Sequence, residues 1–193
     1  YVELLASADH VFNLGMTLKD QQDALVQAID EARESVGVET RISQTIVRHY
    51  GPDKAIAAAK AIVEHPHPYF TGFQMAGAED APPPADFRPA YDMAAEAGLR
   101  CTAHTGEWLG PDSIRETWAA LPMVERLGHG VRAIHDADLV RELAERQMPF
   151  EVCPGSNNAL KVFGSPEEHA LRGLWDAGCF ITLASDDPPY FHT

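Results

Sequence analysis

Seven short runs of β-forming residues alternate with amphipathic helical segments along this 193-residue chain. The predicted strands cover residues 1–6, 41–47, 69–75, 99–104, 124–129, 150–153 and 180–184. The predicted helices cover residues 19–36, 86–97, 111–121 and 136–146, with another opening at 51–52 and a last one from 165 to 178. Repeating units of roughly 25 to 40 residues predict a parallel sheet, because parallel strands need a long crossover connection.

Polar residues follow the ends of these predicted strands. They are His49, Gly77, His104, His129, Ser156 with Asn157, and Asp186 with Asp187. A ring of polar strand ends favours a (β/α)8, or TIM, barrel over an open sheet, which gathers its ligands at one switch point. Eight strands complete such a barrel. We therefore predict an α/β fold in which residues 1–193 form a single, incomplete TIM-barrel domain lacking the first strand and the C-terminal helices.

The net charge and the cysteine content argue against several classes of partner and of structure. The formal charge of −14, from 15 basic and 29 acidic residues, disfavours binding to nucleic acid or to an anionic membrane. Cys101, Cys153 and Cys179 show no CxxC spacing, which argues against a disulfide framework and predicts a reducing, cytoplasmic location. No apolar run is long enough to span a bilayer.

One predicted strand ends beside two residues that could bind a metal or transfer a proton. It lies in residues 100–108, Arg-Cys-Thr-Ala-His-Thr-Gly-Glu-Trp. His104 ends the predicted strand, Gly106 permits a tight turn, and Glu107 follows. Taken alone, His104 would be interpreted as a strand-end histidine that hydrogen-bonds a carbonyl, and Glu107 as a solvated surface carboxylate. Asp186 and Asp187 would suit a turn. A cation would relieve the repulsion between those two adjacent acids, so the combination favours a metal site.

Four ordered motifs resemble the adenosine deaminase family of zinc aminohydrolases. They are His104-Thr-Gly-Glu107, Arg126-Leu-Gly-His129-Gly130, Cys153-Pro-Gly-Ser-Asn157 and Ser185-Asp186-Asp187-Pro188. The resemblance runs over essentially the whole chain. It implies a (β/α)8 barrel whose second strand is residues 1–6 and whose eighth is residues 180–184.

The resemblance also implies roles for individual residues. His104 and Asp186 would bind one Zn2+ per chain, and two further histidine ligands would come from a His-x-His pair on the missing first strand. Glu107 would protonate the purine at N1, and His129 would orient and deprotonate the attacking water. Asp187 would hydrogen-bond N7 of the purine, and the backbone N–H of Gly77 would meet N3.

Two parts of the sequence depart from the family pattern. Gln74 and Ala78 stand where acidic residues are usual in the family, which weakens the expected contacts around the purine. His65-Pro-His67-Pro could imitate a His-x-His pair, but it precedes a predicted strand, away from the expected mouth.

The resemblance implies a small-molecule substrate, adenosine or 2′-deoxyadenosine. Gly128 supports the nucleoside, because family members acting on free adenine tend to carry Asp at this position. Deamination of adenine or another 6-aminopurine remains an alternative, as does a non-catalytic truncated barrel acting as a binding module. A homo-oligomer is also left open. Because strands 1–6 and 180–184 would be unpaired apolar edges, we expect the isolated chain to aggregate or to pair with another copy, and the functional polypeptide to be longer at both ends.

Overall fold

A computed structural model describes residues 1–7, 14–80 and 82–191. Its strands are β1 (Val2–Ser7), β2 (Thr40–Val47), β3 (Phe70–Ala76), β4 (Arg100–Thr105), β5 (Val124–His129), β6 (Pro149–Val152) and β7 (Phe180–Leu183). Its α-helices are α1 (Leu18–Val36), α2 (Pro52–Glu64), α3 (Arg88–Glu96), α4 (Pro111–Ala120), α5 (Ala137–Glu145), α6 (Pro154–Ala159), α7 (Leu171–Asp176) and α8 (Pro188–Phe191). Short 3-10 helices occupy Arg48–Tyr50, Pro84–Phe87, Val131–His135 and Pro166–Glu168.

The first compact unit, Tyr1–Thr102, contains three parallel strands in chain order. β1 pairs with β2 from Val2 opposite Thr40, and β2 pairs with β3. Apolar side chains between the strands and helices α2 and α3 form the core of the unit. Ile42, Ile46, Ala59, Phe73, Met75 and Tyr91 are all buried there. The alternation of sequence patterns therefore did predict parallel pairing.

The second compact unit, Ala103–Thr193, contains the parallel strands β5, β6 and β7. Leu127 lies opposite Phe150, which in turn lies opposite Ile181. The strand β4 runs across the division between the two units, so residues 103–105 belong to the second. Ile114, Leu127, Leu139, Leu143, Phe150 and Leu174 form the buried core of this unit.

Helix caps explain several boundaries. Thr17 and Asp20 form a capping box at the start of α1, and Gly37 ends that helix at φ 70°. The Asp136 side chain accepts hydrogen bonds from the N–H groups of Asp138 and Leu139 at the start of α5.

Two predicted helices differ in the structure. The helix predicted from residue 86 begins as an α-helix only at Arg88, because Pro84–Phe87 forms a 3-10 turn first. The last helix, predicted over 165–178, is divided into Pro166–Glu168 and Leu171–Asp176. His169 interrupts it with extended backbone at φ −61° and ψ 135°. No helix among the described residues is long and apolar enough to cross a membrane.

Candidate active site

The strand ends of the second unit bring four of the six predicted site residues together. His104 lies near the end of β4, with Glu107 in the turn that follows. His129 is the last residue of β5, and Asp186 follows β7. Two backbone hydrogen bonds fix the turns: Gly130 N–H donates to Thr105 O at 3.1 Å, and Arg132 N–H donates to Gly106 O at 2.8 Å. The site thus rests on strand ends joined by backbone contacts.

His104 and His129 pack edge to face. Their ring centroids are 4.8 Å apart, with an angle of 85° between the planes. Burial, with a smaller contribution from the neighbouring His129, lowers the pKa of His104 to about 3, although nearby Asp186 opposes the shift. Burial also lowers the pKa of His129 to about 4. Both rings are therefore neutral at pH 7, the state in which imidazole binds a metal.

Two carboxylates face His129. Its Nε2 lies 3.6 Å from Glu107 Oε2 and 4.0 Å from Asp186 Oδ2. His129 and Asp186 both have positive φ angles, 61° and 60°, which non-glycine residues adopt at some energetic cost. Such strain is common at functional sites, where surrounding contacts hold a side chain in place.

Among the described residues, the side chains grouped closely enough to hold a metal ion include the predicted ligand Asp186 but not the predicted ligand His104. Ligand atoms of His129, Cys153 and Asp186 all lie within 4.8 Å of one another. An imidazole, a thiolate and a carboxylate are all ordinary zinc ligands, so the residue types of this group fit a zinc ion. Burial raises the pKa of the Cys153 thiol, whose Sγ lies 3.5 Å from Glu151 O, so without a metal this cysteine stays protonated. His104 and Asp186, the two predicted ligands, are close enough for Asp186 to affect the His104 pKa.

Asn157 and His169 also belong to this cluster, although the sequence did not assign them a functional role. Asn157 lies in α6, fully buried, with its Nδ2 3.3 Å from Glu107 Oε1 and 3.4 Å from His129 Nδ1. His169 Nε2 lies 3.1 Å from Asn157 Oδ1. The Cys153-Pro-Gly-Ser-Asn157 motif was a usable signal for Asn157, whereas no sequence pattern marked His169.

The remaining predicted residues occupy defined positions in their own units. Gly77 follows β3 in the first unit at φ 93°, and a Cβ there would lie 3.1 Å from His49 Nδ1. Asp187 is exposed in the second unit, and its carbonyl accepts hydrogen bonds from the N–H groups of Tyr190 and Phe191 at the start of α8. The purine contacts predicted for Gly77 and Asp187 stay predictions.

Gly128 has a structural explanation that does not involve substrate. A Cβ at this position would lie 2.2 Å from Cδ2 of His104, a distance at which atoms cannot coexist. The flat ring of His104 thus lies directly on the backbone of β5. With the His104 ring in this position only glycine fits at residue 128, so Gly128 has an explanation that does not depend on the substrate.

His129, which is buried, and His104, which is half-buried, predict a pH-dependent stability for the metal-free full-length protein. Their folded pKa values lie below 6.5, so as pH falls from 6.5 towards 4 the unfolded state binds more protons. The free energy of unfolding should fall by about 1.4 kcal/mol per pH unit for each ring. Urea unfolding at the two ends of this interval measures the slope. His104→Gln should remove about half of it, and an unchanged slope in that variant would contradict the assignment.

Comparison with known proteins identifies the class and then the family. An adenine deaminase from Arthrobacter aurescens is similar with a TM-score of 0.91 and 32% identity, covering 98% of this chain and 57% of that protein. An amidohydrolase from Burkholderia ambifaria with bound zinc has a TM-score of 0.88 and 29% identity, covering 96% of this chain and 52% of that one. These similarities confirm the predicted α/β fold class, an incomplete TIM barrel.

The family model for adenosine deaminase matches residues 1–193, and the chain belongs to that family. Adenine deaminases from Sinorhizobium medicae and Agrobacterium fabrum are 44% and 45% identical to it over its full length. The chain spans 59% of the length of each of these two relatives.

Proposed function

We propose that the full-length protein containing this chain hydrolyses the 6-amino group of a purine, with free adenine as the substrate. The observation that carries this proposal is the cluster of Glu107, His129 and Asp186, in which His129 Nε2 lies within 4.0 Å of both carboxylates. Its reaction converts adenine and water to hypoxanthine and ammonia. Relatives at 44% and 45% identity are adenine deaminases, which supports the free base.

His104 and Asp186 would hold one Zn2+ ion. A neutral ring of His104 has a nitrogen lone pair that could bind the ion, and Asp186, which lies in the candidate metal group, would supply an oxygen ligand. When bound, zinc lowers the pKa of a coordinated water to about 7, so a nucleophile is available at neutral pH. The resemblance to the adenosine deaminase family implies that a His-x-His pair would supply the remaining histidine ligands.

Glu107 would donate a proton to N1 of the purine. Attack at C6 moves electron density onto N1, and a protonated carboxyl group held beside that atom stabilises the developing charge. The Glu107 side chain is only 13% exposed, and Asn157 Nδ2 lies 3.3 Å from its Oε1. A carboxyl group held in a dry pocket can keep the orientation that proton transfer needs.

His129, Asp187 and Gly77 would complete the site. His129 directs Nε2 towards the carboxylates of Glu107 and Asp186, where it can orient the attacking water. A protonated Asp187 would donate a hydrogen bond to N7, and the Gly77 N–H would donate to N3. These contacts are available equally in a base and in a nucleoside.

The name of the matching family model supports adenosine as a second candidate substrate. Separate assays of the full-length protein with adenine and with adenosine, following ultraviolet absorbance and ammonia release, distinguish the two. We expect turnover of adenine at a kcat/KM at least tenfold above that of adenosine, and its loss after chelation and recovery with Zn2+. Turnover of adenosine alone would reverse the substrate assignment, and tight binding of purine without turnover would favour the binding-module alternative.

A further inference from the structure

We propose that His169 and Asn157 are positioning residues that fix which ring nitrogen of His129 carries the proton and how the Glu107 carboxyl group is turned. The inference rests on the proposed function for its effect on rate, but its structural content is independent of substrate. It follows from a chain of hydrogen bonds, all within the second unit, that begins at a backbone group.

The first contact determines the tautomer of His169. The N–H of Leu171 lies 3.0 Å from His169 Nδ1. A backbone N–H can only donate, so Nδ1 must be the unprotonated nitrogen and the neutral ring carries its hydrogen on Nε2. Burial lowers the pKa of His169 from its ordinary value, which favours the neutral ring. The series of hydrogen bonds therefore begins at the Leu171 backbone N–H, whose direction is fixed because it cannot flip as a side-chain amide or imidazole can.

The second contact determines the orientation of the Asn157 amide. His169 Nε2–H lies 3.1 Å from Asn157 Oδ1 and donates to it. The opposite amide orientation would place two donors against each other in a buried site, at the cost of an unsatisfied pair. The backbone of Asn157 is also held: its N–H donates to Cys153 O, and its carbonyl accepts from Val162 N–H, both at 2.9 Å.

The third set of contacts joins the oriented Asn157 amide to the two proposed catalytic groups, the Glu107 carboxyl group and the His129 ring. The two hydrogens of Asn157 Nδ2 face Glu107 Oε1 at 3.3 Å and His129 Nδ1 at 3.4 Å. His129 Nδ1 is then an acceptor, so the neutral ring carries its hydrogen on Nε2, facing Glu107 Oε2 and Asp186 Oδ2. In this tautomer His129 orients an acceptor by donating to it, and its Nε2 has no free lone pair for removing a proton.

Aromatic contacts keep His169 in place. The Phe163 ring lies 5.1 Å from the His169 ring, and the guanidinium group of Arg132 lies 5.0 Å from the Phe163 centroid. Arg132 also donates through Nε to Glu107 O at 3.3 Å. The break in the last helix at His169 thus has a function in this proposal, because a continuous helix would use the Leu171 N–H internally.

Histidine 15N spectra of the full-length, metal-free protein test the tautomers directly, without any need for activity. Long-range 1H–15N correlations distinguish rings protonated at Nδ1 from rings protonated at Nε2, and we expect His129 and His169 both to be protonated at Nε2. In His169→Phe, which keeps a ring but removes both nitrogens, we expect His129 to become a mixture of tautomers. A parent His129 protonated at Nδ1, or an unchanged single tautomer in His169→Phe, would overturn the proposal.

Kinetics of the zinc-loaded protein test the functional consequence. We expect His169→Phe to lower kcat about 10- to 100-fold with little change in KM, the usual range for residues that orient metal-site groups. His169→Gln should recover most of the rate, since its amide N–H can donate to Asn157 Oδ1. The exposed His65→Phe is the control and should match the parent. Equal losses in His169→Phe and His169→Gln would indicate a merely structural role, contradicting the proposal.

The two readouts separate this inference from the proposed function. If the spectra show the expected tautomers but neither adenine nor adenosine is turned over, the deaminase assignment fails and the tautomer assignment stands. If turnover occurs and the tautomers differ from those expected, the deaminase assignment stands and the role of His169 fails.

Discussion

Replacing Glu107 by Gln is expected to lower kcat for adenine by about 10²- to 10⁴-fold, the usual contribution of a general acid. The substitution keeps the size of the side chain and an oxygen that can accept from Asn157 Nδ2, 3.3 Å away. It removes the only proton that this side chain can transfer to the purine ring. Steady-state assays of the full-length protein, with metal content measured on the same samples, provide the test.

The matched control for this prediction is Glu96→Gln, at the exposed end of α3. It makes the same chemical change outside the cluster and should leave kcat unchanged. Zinc content should equal that of the parent in both variants, because Glu107 is not one of the proposed ligands. Activity of Glu107→Gln within tenfold of the parent would remove Glu107 from its role as proton donor.

Replacing Gly128 by Ala is expected to abolish zinc binding and turnover together. The new Cβ would lie 2.2 Å from His104 Cδ2 and 3.1 Å from its Nε2, so the ring must move away from its present position. Overpacking of this kind typically costs about 1 to 3 kcal/mol of stability, and loss of a ligand removes the metal. Metal content, kcat and urea unfolding of the full-length variant measure the three effects.

Gly110→Ala is the matched control for this second prediction. Gly110 has a φ of −76°, and no atom lies within 4 Å of a Cβ built there. This control should therefore behave as the parent. In a His104→Ala background the cost of Gly128→Ala to stability should largely disappear, because the clashing ring is gone. Normal zinc binding by Gly128→Ala would show that His104 does not need its present contact with β5.

Local sequence patterns predicted the strands and most helices because those elements depend on neighbours along the chain. The strand at residues 124–129 has the predicted boundaries. Helix α1 begins after Thr17 and ends before Gly37, because these two residues cap it. The prediction of one continuous helix over residues 165–178 was wrong. The interruption at His169 depends on contacts with Asn157 and Leu171, and the amphipathic pattern carries no information about the first of these.

Four ordered motifs at predicted strand ends, three of which contain His104, Glu107, His129 and Asp186, were enough to predict the family. The ligand roles of His104 and Asp186 follow from that resemblance and stay predictions. The interpretation of Gly128 as a sign of a nucleoside substrate was not supported, since the relatives are adenine deaminases and the present His104 ring leaves no room for a side chain at residue 128. This contact joins neighbouring strands, and a pattern along one strand cannot show which side chain will lie against the next.

The sequence by itself determined the alternation of strands and helices, the family, and the residue types available for metal and proton chemistry. Only the tertiary structure decided that His169 and Asn157 join His129 and Glu107, and that both rings of the His104–His129 pair are held neutral. These properties depend on burial and on hydrogen-bond direction. Both arise when segments 12 to 50 residues apart meet in space, as in the contacts of Asn157 with His169 and Glu107.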